Sequence, residues 1–135
     1  MEIRRATTSA EVLAAAGLFD GHPQGEATER FLDTPGHHLL LAWEGDRPVG
    51  MATGVEMTMP DKGTEMFLYE LGVAEEAQGR GIGSALVAAL HELAREKGCY
   101  GMWVLTDDDN HAALKAYRRT PPQEESPNHL IGWTF

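Results

Sequence analysis

The hexapeptide Gln78-Gly79-Arg80-Gly81-Ile82-Gly83 decides how this chain is read. Glycines at alternate positions remove the Cβ atoms that would hold a ligand off the main chain, and they open dihedrals closed to other residues. Directly after them, Ile82, Leu86, Val87, Leu90 and Leu93 recur at helical spacing. The bare N–H groups of the loop therefore stand at a helix N-terminus, where the macrodipole favours negative charge. This is the make-up of an anion cradle, and a diphosphate fits it.

Three phosphate-binding loops compete for these residues. A P-loop requires Gly-Lys-Ser/Thr, and no Lys follows these glycines. A Rossmann fingerprint places its first glycine almost directly after a strand and an acidic residue about 20 positions on. Asp107 meets the second condition, but Ala74 to Gln78 separate the apolar strand ending near Val73 from Gly79, too many residues for that tight turn. The third pattern, Gln/Arg-x-x-Gly-x-Gly/Ala, is met with Gln78 first and glycines fourth and sixth.

Two flanking segments add to this match. Tyr69-Glu70-Leu71-Gly72-Val73 lies on the preceding strand, and Asn110-His111-Ala112-Ala113-Leu114-Lys115-Ala116-Tyr117 follows the next one. With these three elements in order across Phe67 to Tyr117, the chain resembles the GNAT superfamily of N-acetyltransferases. The resemblance implies an α/β (α+β) fold whose mixed central sheet splays beside the fourth strand, with helices packed on both faces. It implies acetyl-coenzyme A as co-substrate, with the pyrophosphate on the loop Gln78, Gly79, Arg80, Gly81, Ile82, Gly83 and Ser84. The pantetheine arm would bond to main-chain groups of Leu71, Gly72 and Val73, and Asn110, Ala113 and Tyr117 would also touch the coenzyme. Gly72 is compatible with a bulge that would open the cleft.

Composition sets the outer bounds. A chain of 135 residues reads as a single domain, 1–135, with 42% hydrophobic and 24% charged residues, ordinary for a soluble globular protein. No apolar run approaches a membrane span, and Met1 to Arg5 lead into polar Thr7-Thr8-Ser9 where a secretory signal would carry an apolar stretch. With the single cysteine, Cys99, this predicts a cytoplasmic protein. The formal charge of −10 favours cationic partners and disfavours nucleic acid and anionic lipid.

Along the chain, Ile3 to Ala6 reads as a strand. A helix capped by Thr8 or Ser9 follows, with Val12, Leu13, Ala16 and Phe19 on one face. A second helix covers Glu26 to Leu32. Strands His38 to Trp43 and Pro48 to Met57 flank a turn at Glu44 to Arg47, and a strand runs from Glu65 to Val73. Then come a helix from Gly83 to Lys97, a strand from Cys99 to Thr106, a helix from Asn110 to Arg118, and a last strand within Asn128 to Phe135.

Acetyl transfer from a thioester to an amine needs a neutral amine, a stabilised oxyanion and a proton for the leaving thiolate. The resemblance gives the last role to Tyr117, whose phenol has an ordinary pKa near 10 and stays protonated at neutral pH. Tyr117 lies two helical turns beyond Asn110, which predicts one shared face. A backbone amide near Val73 is the partner for the thioester oxygen, and Glu70 is the candidate base. Asp107, Asp108 and Asp109 lie at the carboxyl end of a strand, where ligands bind in open α/β sheets, and with Glu70 they form the predicted substrate-binding set. His91-Glu92-Leu93-Ala94-Arg95 lacks the second histidine of a zinc helix, and no metal site is assigned.

Phe67 to Val73, Thr106 to Asn110 and Ile131 to Phe135 look like class I aminoglycoside 3-N-acetyltransferases. That likeness implies a polycationic acceptor amine. Polyamines, protein N-termini, or a non-catalytic acyl-coenzyme A-binding module are the alternatives. The superfamily usually continues after this tyrosine with Gly-Phe, whereas Arg118-Arg119-Thr120-Pro121-Pro122 follows here. Proline cannot donate to a ladder, so the tail is expected to complete its sheet in a homodimer.

Overall fold

In the computed structural model, which describes residues 1–135, five strands form one sheet in the order β1 to β5. They are β1 Glu2–Arg5, β2 His37–Glu44, β3 Arg47–Met59, β4 Gly63–Val73 and β5 Met102–Val104. The first four are antiparallel neighbours, and β5 runs parallel to β4. The helices are α1 Ser9–Ala14, α2 Gly25–Asp33, α3 Ile82–Glu96 and α4 His111–Arg118. Parallel pairing needs a long crossover, and α3 supplies it between β4 and β5.

Side-chain alternation along β2 divides the core into two layers. Leu40 and Ala42 join Ile82, Leu86, Val87 and Leu90 of α3, whereas Leu39, Leu41 and Trp43 join Val12 and Ala15 beneath α1 and α2. The sheet is thus covered on both faces. Gly54 on β3 lets α3 come close, since a Cβ there would sit 2.8 Å from Leu90 Cδ1.

Thr8 caps α1 by accepting from the Glu11 N–H at 3.2 Å, and its hydroxyl donates back to the Glu11 carboxylate at 3.1 Å. The expected continuous stripe from Val12 to Phe19 is broken. α1 stops at Ala14, a 3₁₀ turn covers Ala16–Leu18, and Leu13 is 54% exposed while Val12 is buried. The tighter turn rotates Leu18 and Phe19 onto the core in its place.

Three further expectations are corrected. The strand foreseen from Cys99 to Thr106 is regular only over Met102–Val104, although Tyr100 N–H already donates to Thr64 O and Met66 N–H to Gly101 O. The segment Asn128 to Phe135 forms no strand, because its backbone pairs with no sheet edge; its Leu130, Ile131, Trp133 and Phe135 are exposed. The bulge lies at Tyr69 and not at Gly72. Gly54 pairs with Leu68 and Thr53 with Glu70, which leaves Tyr69 unpaired, while Gly72 stays in register opposite Met51. Gly72 answers a different constraint: a Cβ there would meet the Leu18 carbonyl oxygen at 2.8 Å.

The sheet opens where the resemblance places the opening. β4 and β5 pair from Met66–Met102 to Leu68–Val104 and then part, while β4 continues alone to Val73.

Candidate active site

The loop after β4 is built as a bare cradle. Gly79 and Gly81 have φ of 77° and 81°, a left-handed conformation that costs other residues about 1–2 kcal/mol, and no atom lies within 4 Å of a Cβ added at either. Their side of the loop is open space. Gly81 is the N-cap of α3 and supplies no side-chain cap, and the first bond back is Ala85 N–H to Gly81 O at 3.0 Å. The N–H groups of Ile82, Gly83 and Ser84 are left without intrahelical partners, an arrangement that can hold an anion. Ile82 is 3% exposed and anchors the helix start in the core, so only its main chain faces the cradle.

Gln78 ties this loop to the strand before it, its Nε2 donating to Val73 O at 3.3 Å. The Arg80 guanidinium is held by Glu44 at the end of β2, so its contribution to the cradle is its backbone. Gly83 marks where three elements meet: a Cβ there would lie 3.6 Å from Ala116 on α4, 3.6 Å from Val73 and 3.8 Å from Leu71 on β4. Cradle, open end of β4 and α4 are thereby fixed to one another. Ala74 N–H donates to Val49 O, so by strand alternation the Leu71 and Val73 N–H groups point away from β3, toward the side that β5 has left.

Tyr117 projects from α4 onto the α3 side of the core, and burial alone raises its phenol above the ordinary value. Asn110 does not share its face. It stands outside the helix as the N-cap, its Oδ1 accepting from Ala113 N–H at 3.2 Å, so the cap bond outweighs the two-turn spacing in orienting it.

Glu70 lies on the opposite face of β4. It is half-buried in a cavity of about 170 Å³ between the sheet and α1–α2, with Val12, Phe19, Phe31, Leu39 and Thr53 in the walls. Desolvation raises its pKa, the hydrogen bond from Thr53 opposes that shift, and the charge of Asp20 adds to it. Asp107, Asp108 and Asp109 form an exposed turn between β5 and α4, outside the Glu70 cavity. The structure therefore unites Leu71, Val73, Gln78, the cradle glycines and α4 around the splay, sets Glu70 across the sheet from Tyr117, and leaves the three aspartates apart. Thr53 and Asp20 escaped the sequence reading. Thr53 is one of several small residues on β3, and Asp20 sits in an irregular segment with no motif around it.

The loop presents bare main-chain N–H groups of the kind that can hold an anion, the N–H groups of Leu71 and Val73 face the gap left by β5, and Tyr117 and Glu70 lie on opposite faces of β4. Comparison with known proteins shows the family and the fold. The chain is 32% identical over 117 residues to the mycothiol acetyltransferase of Geodermatophilus obscurus, a match that covers 78% of this chain and 37% of the relative. The chain thus spans little more than a third of that relative's length. An aminoglycoside acetyltransferase from an uncultured soil metagenomic sample, solved with sisomicin in one structure and with trehalose in another, has the same fold. In the trehalose complex the TM-score is 0.91 at 23% identity over 99% of this chain and 95% of that one. The aminoglycoside N-acetyltransferase AAC(6′)-Iy in complex with CoA superposes with a TM-score of 0.81 at 20% identity, covering 99% of each chain. Residues 7–120 match the model described as the acetyltransferase (GNAT) family, and the chain belongs to that family of acetyl-coenzyme A-dependent acetyltransferases.

Proposed function

We propose that this acetyltransferase moves the acetyl group directly to a primary amine of a small cationic molecule, with Glu70 as base, Tyr117 as acid and the Val73 N–H as oxyanion donor. The observation that carries this reading is the placement of Glu70 and Tyr117 on the two faces of β4 beside the gap left by β5. Acetyl-coenzyme A supplies the acyl group as an activated thioester. Glu70, a stronger base for its burial, takes a proton from the acceptor ammonium, directly or through one water. The freed amine forms the C–N bond while the carbonyl oxygen is held by main-chain N–H. As the C–S bond breaks, Tyr117 donates its proton to sulfur, and the proton leaving the new amide nitrogen restores the phenol. One amide, one thiol and one proton on Glu70 result.

For the acceptor we favour an aminoglycoside-type amine. The −10 charge and the exposed carboxylates of Asp107 to Asp109 support a polycation. The sequence likeness implies the 3-N position, whereas one structurally similar enzyme is named for 6′. A mycothiol-type acceptor is the second reading, supported by the 32% identical relative. The exposed tail residues Leu130, Ile131, Trp133 and Phe135 support a homodimer that buries them.

The test is thiol release from acetyl-coenzyme A with aminoglycosides, spermidine, lysine and short peptides at two salt concentrations, followed by mapping the acetylated nitrogen. Aminoglycosides are expected to give the highest kcat/KM, falling with salt. Equal rates on peptides, or no salt dependence, would remove the aminoglycoside reading. Coenzyme binding without thiol release against any amine would favour the binding module.

A further inference from the structure

The β3–β4 hairpin has a register that a single residue interrupts. From Met59–Gly63 to Gly54–Leu68 the strands pair without a break, and continuing that register would set Thr53 opposite Tyr69. The bulge at Tyr69 moves Glu70 into that place. It also decides which face Glu70 occupies. Met66 and Leu68 point into the α3 layer, so unbroken alternation would carry Glu70 there as well, among Leu86 and Leu90. Because of the bulge, Leu71 and Val73 take the α3 side, and Glu70 turns to the cavity beneath α1 and α2.

Thr53 holds Glu70 in that position at two points. The Thr53 hydroxyl donates to Glu70 Oε1 at 3.1 Å, and the same oxygen accepts from the Glu70 backbone N–H at 3.0 Å. Thr53 is 4% exposed and β-branched, so its own rotamer is fixed by strand and packing. A carboxylate on two rotatable side-chain carbons is thus held through both its main chain and its tip. The other walls of the cavity offer no charge: Val12, Phe19, Gln24, Thr28, Phe31 and Leu39 are neutral. The one further charge bearing on Glu70 is Asp20, before α2, which opposes ionisation as burial does. The Thr53 bond alone favours the carboxylate.

We infer that Thr53 is a positioning residue for the acetyl-transfer step, clamping Glu70 across the Tyr69 bulge so that its carboxylate is aimed into the cavity. This rests on Glu70 serving as the base. A threonine that only filled its site would be replaceable by valine, which has the same shape and no hydroxyl.

The experiment compares Thr53→Val and Thr53→Ser in two readouts, the pH profile of kcat/KM and the titration of the Glu70 side-chain carbonyl by ¹³C NMR. Thr53→Val is expected to move the Glu70 midpoint and the acidic limb upward together and to lower kcat about tenfold, part of the roughly 10²-fold or more that a positioned general base contributes. Thr53→Ser keeps the hydroxyl and should return all three toward wild type. If Thr53→Val does not fold, Thr53→Ala removes the same hydroxyl and carries the same expectations. An unmoved Glu70 midpoint in the valine or alanine variant, or a serine variant that behaves like valine, overturns the clamp. A midpoint that moves while the acidic limb stays still overturns the catalytic role of the clamp. Glu70→Gln at the wild-type rate would remove the base assignment itself, recognisable because the NMR midpoint would still respond to Thr53→Val.

Discussion

Gly81→Ala separates two reasons for a glycine at the cradle, backbone strain and ligand access. Gly81 has φ of 81° and caps α3 without a side chain, and no atom lies within 4 Å of the added Cβ. The folding cost is therefore dihedral alone, about 1–2 kcal/mol for an alanine in the left-handed region. Binding should suffer separately, because the methyl group stands in the open space in front of the Ile82 and Gly83 amides. Losing one charge-assisted N–H to phosphate bond costs about 1.5–3 kcal/mol, or roughly 10- to 150-fold in coenzyme Kd. Gly63→Ala is the control: its φ is 86°, nothing lies within 4 Å, and it opens β4 at the end remote from the cradle. Urea unfolding should show similar losses for the two variants, and calorimetry with coenzyme A should show weakened binding for Gly81→Ala alone. Wild-type coenzyme affinity in a folded Gly81→Ala protein would refute the cradle.

Three further outcomes follow from the site and the core. Tyr117→Phe keeps the ring packed against the core and removes the proton, so kcat should fall roughly 10²-fold or more with stability nearly unchanged; a wild-type kcat would return Tyr117 to packing alone. Burial raises the Glu70 pKa in the folded state, so its contribution is present below the unfolded value of about 4.3 and is lost as pH rises through the folded one. The Tm of Glu70→Gln should accordingly gain on wild type between pH 4 and 7, and a constant difference would contradict this. His38 is 1% exposed, shares a 2.6 Å hydrogen bond with Glu56, and has its pKa lowered chiefly by burial. Its contribution is present above the unfolded value of about 6.5 and is lost as pH falls, a slope in stability that should be missing from His38→Gln.

The parts of the site that depend on local chemistry could be read from the residues. Positive φ at Gly79 and Gly81 and the 3.6-residue spacing of Ile82, Leu86 and Leu90 are properties of short segments, so loop and helix were foreseen together. The β2–β3 turn was likewise legible, and Gly45 meets its need for a positive φ of 63°. Tail and helix cap were not. Whether Asn128 to Phe135 forms a strand depends on its finding a sheet edge to pair with, and it makes no ladder bond here, while whether Asn110 faces a ligand depends on a bond to Ala113 N–H that spacing alone does not reveal.

The Tyr69 bulge shows why the side of the sheet on which a candidate residue lies is harder to read than its identity. Strand periodicity is two, so a single inserted residue exchanges the faces of everything beyond it. Before the bulge, Met66 and Leu68 point to α3; after it, Leu71 and Val73 do, and Glu70 faces the other way. Nothing in Phe67-Leu68-Tyr69-Glu70-Leu71 marks which residue is extra, because an apolar-polar run supports either phase. The decision is tertiary. Holding Glu70 in the α3 layer would bury an unpaired carboxylate among leucines, which is far costlier than one lost ladder pair. Placing it opposite Thr53 gives it two hydrogen bonds and a cavity. The same exchange leaves Leu71 and Val73 with their side chains against Gly83 and their N–H groups toward the gap. One unpaired residue thereby sets the Glu70 carboxylate on one face of β4 and the Leu71 and Val73 N–H groups at its open edge.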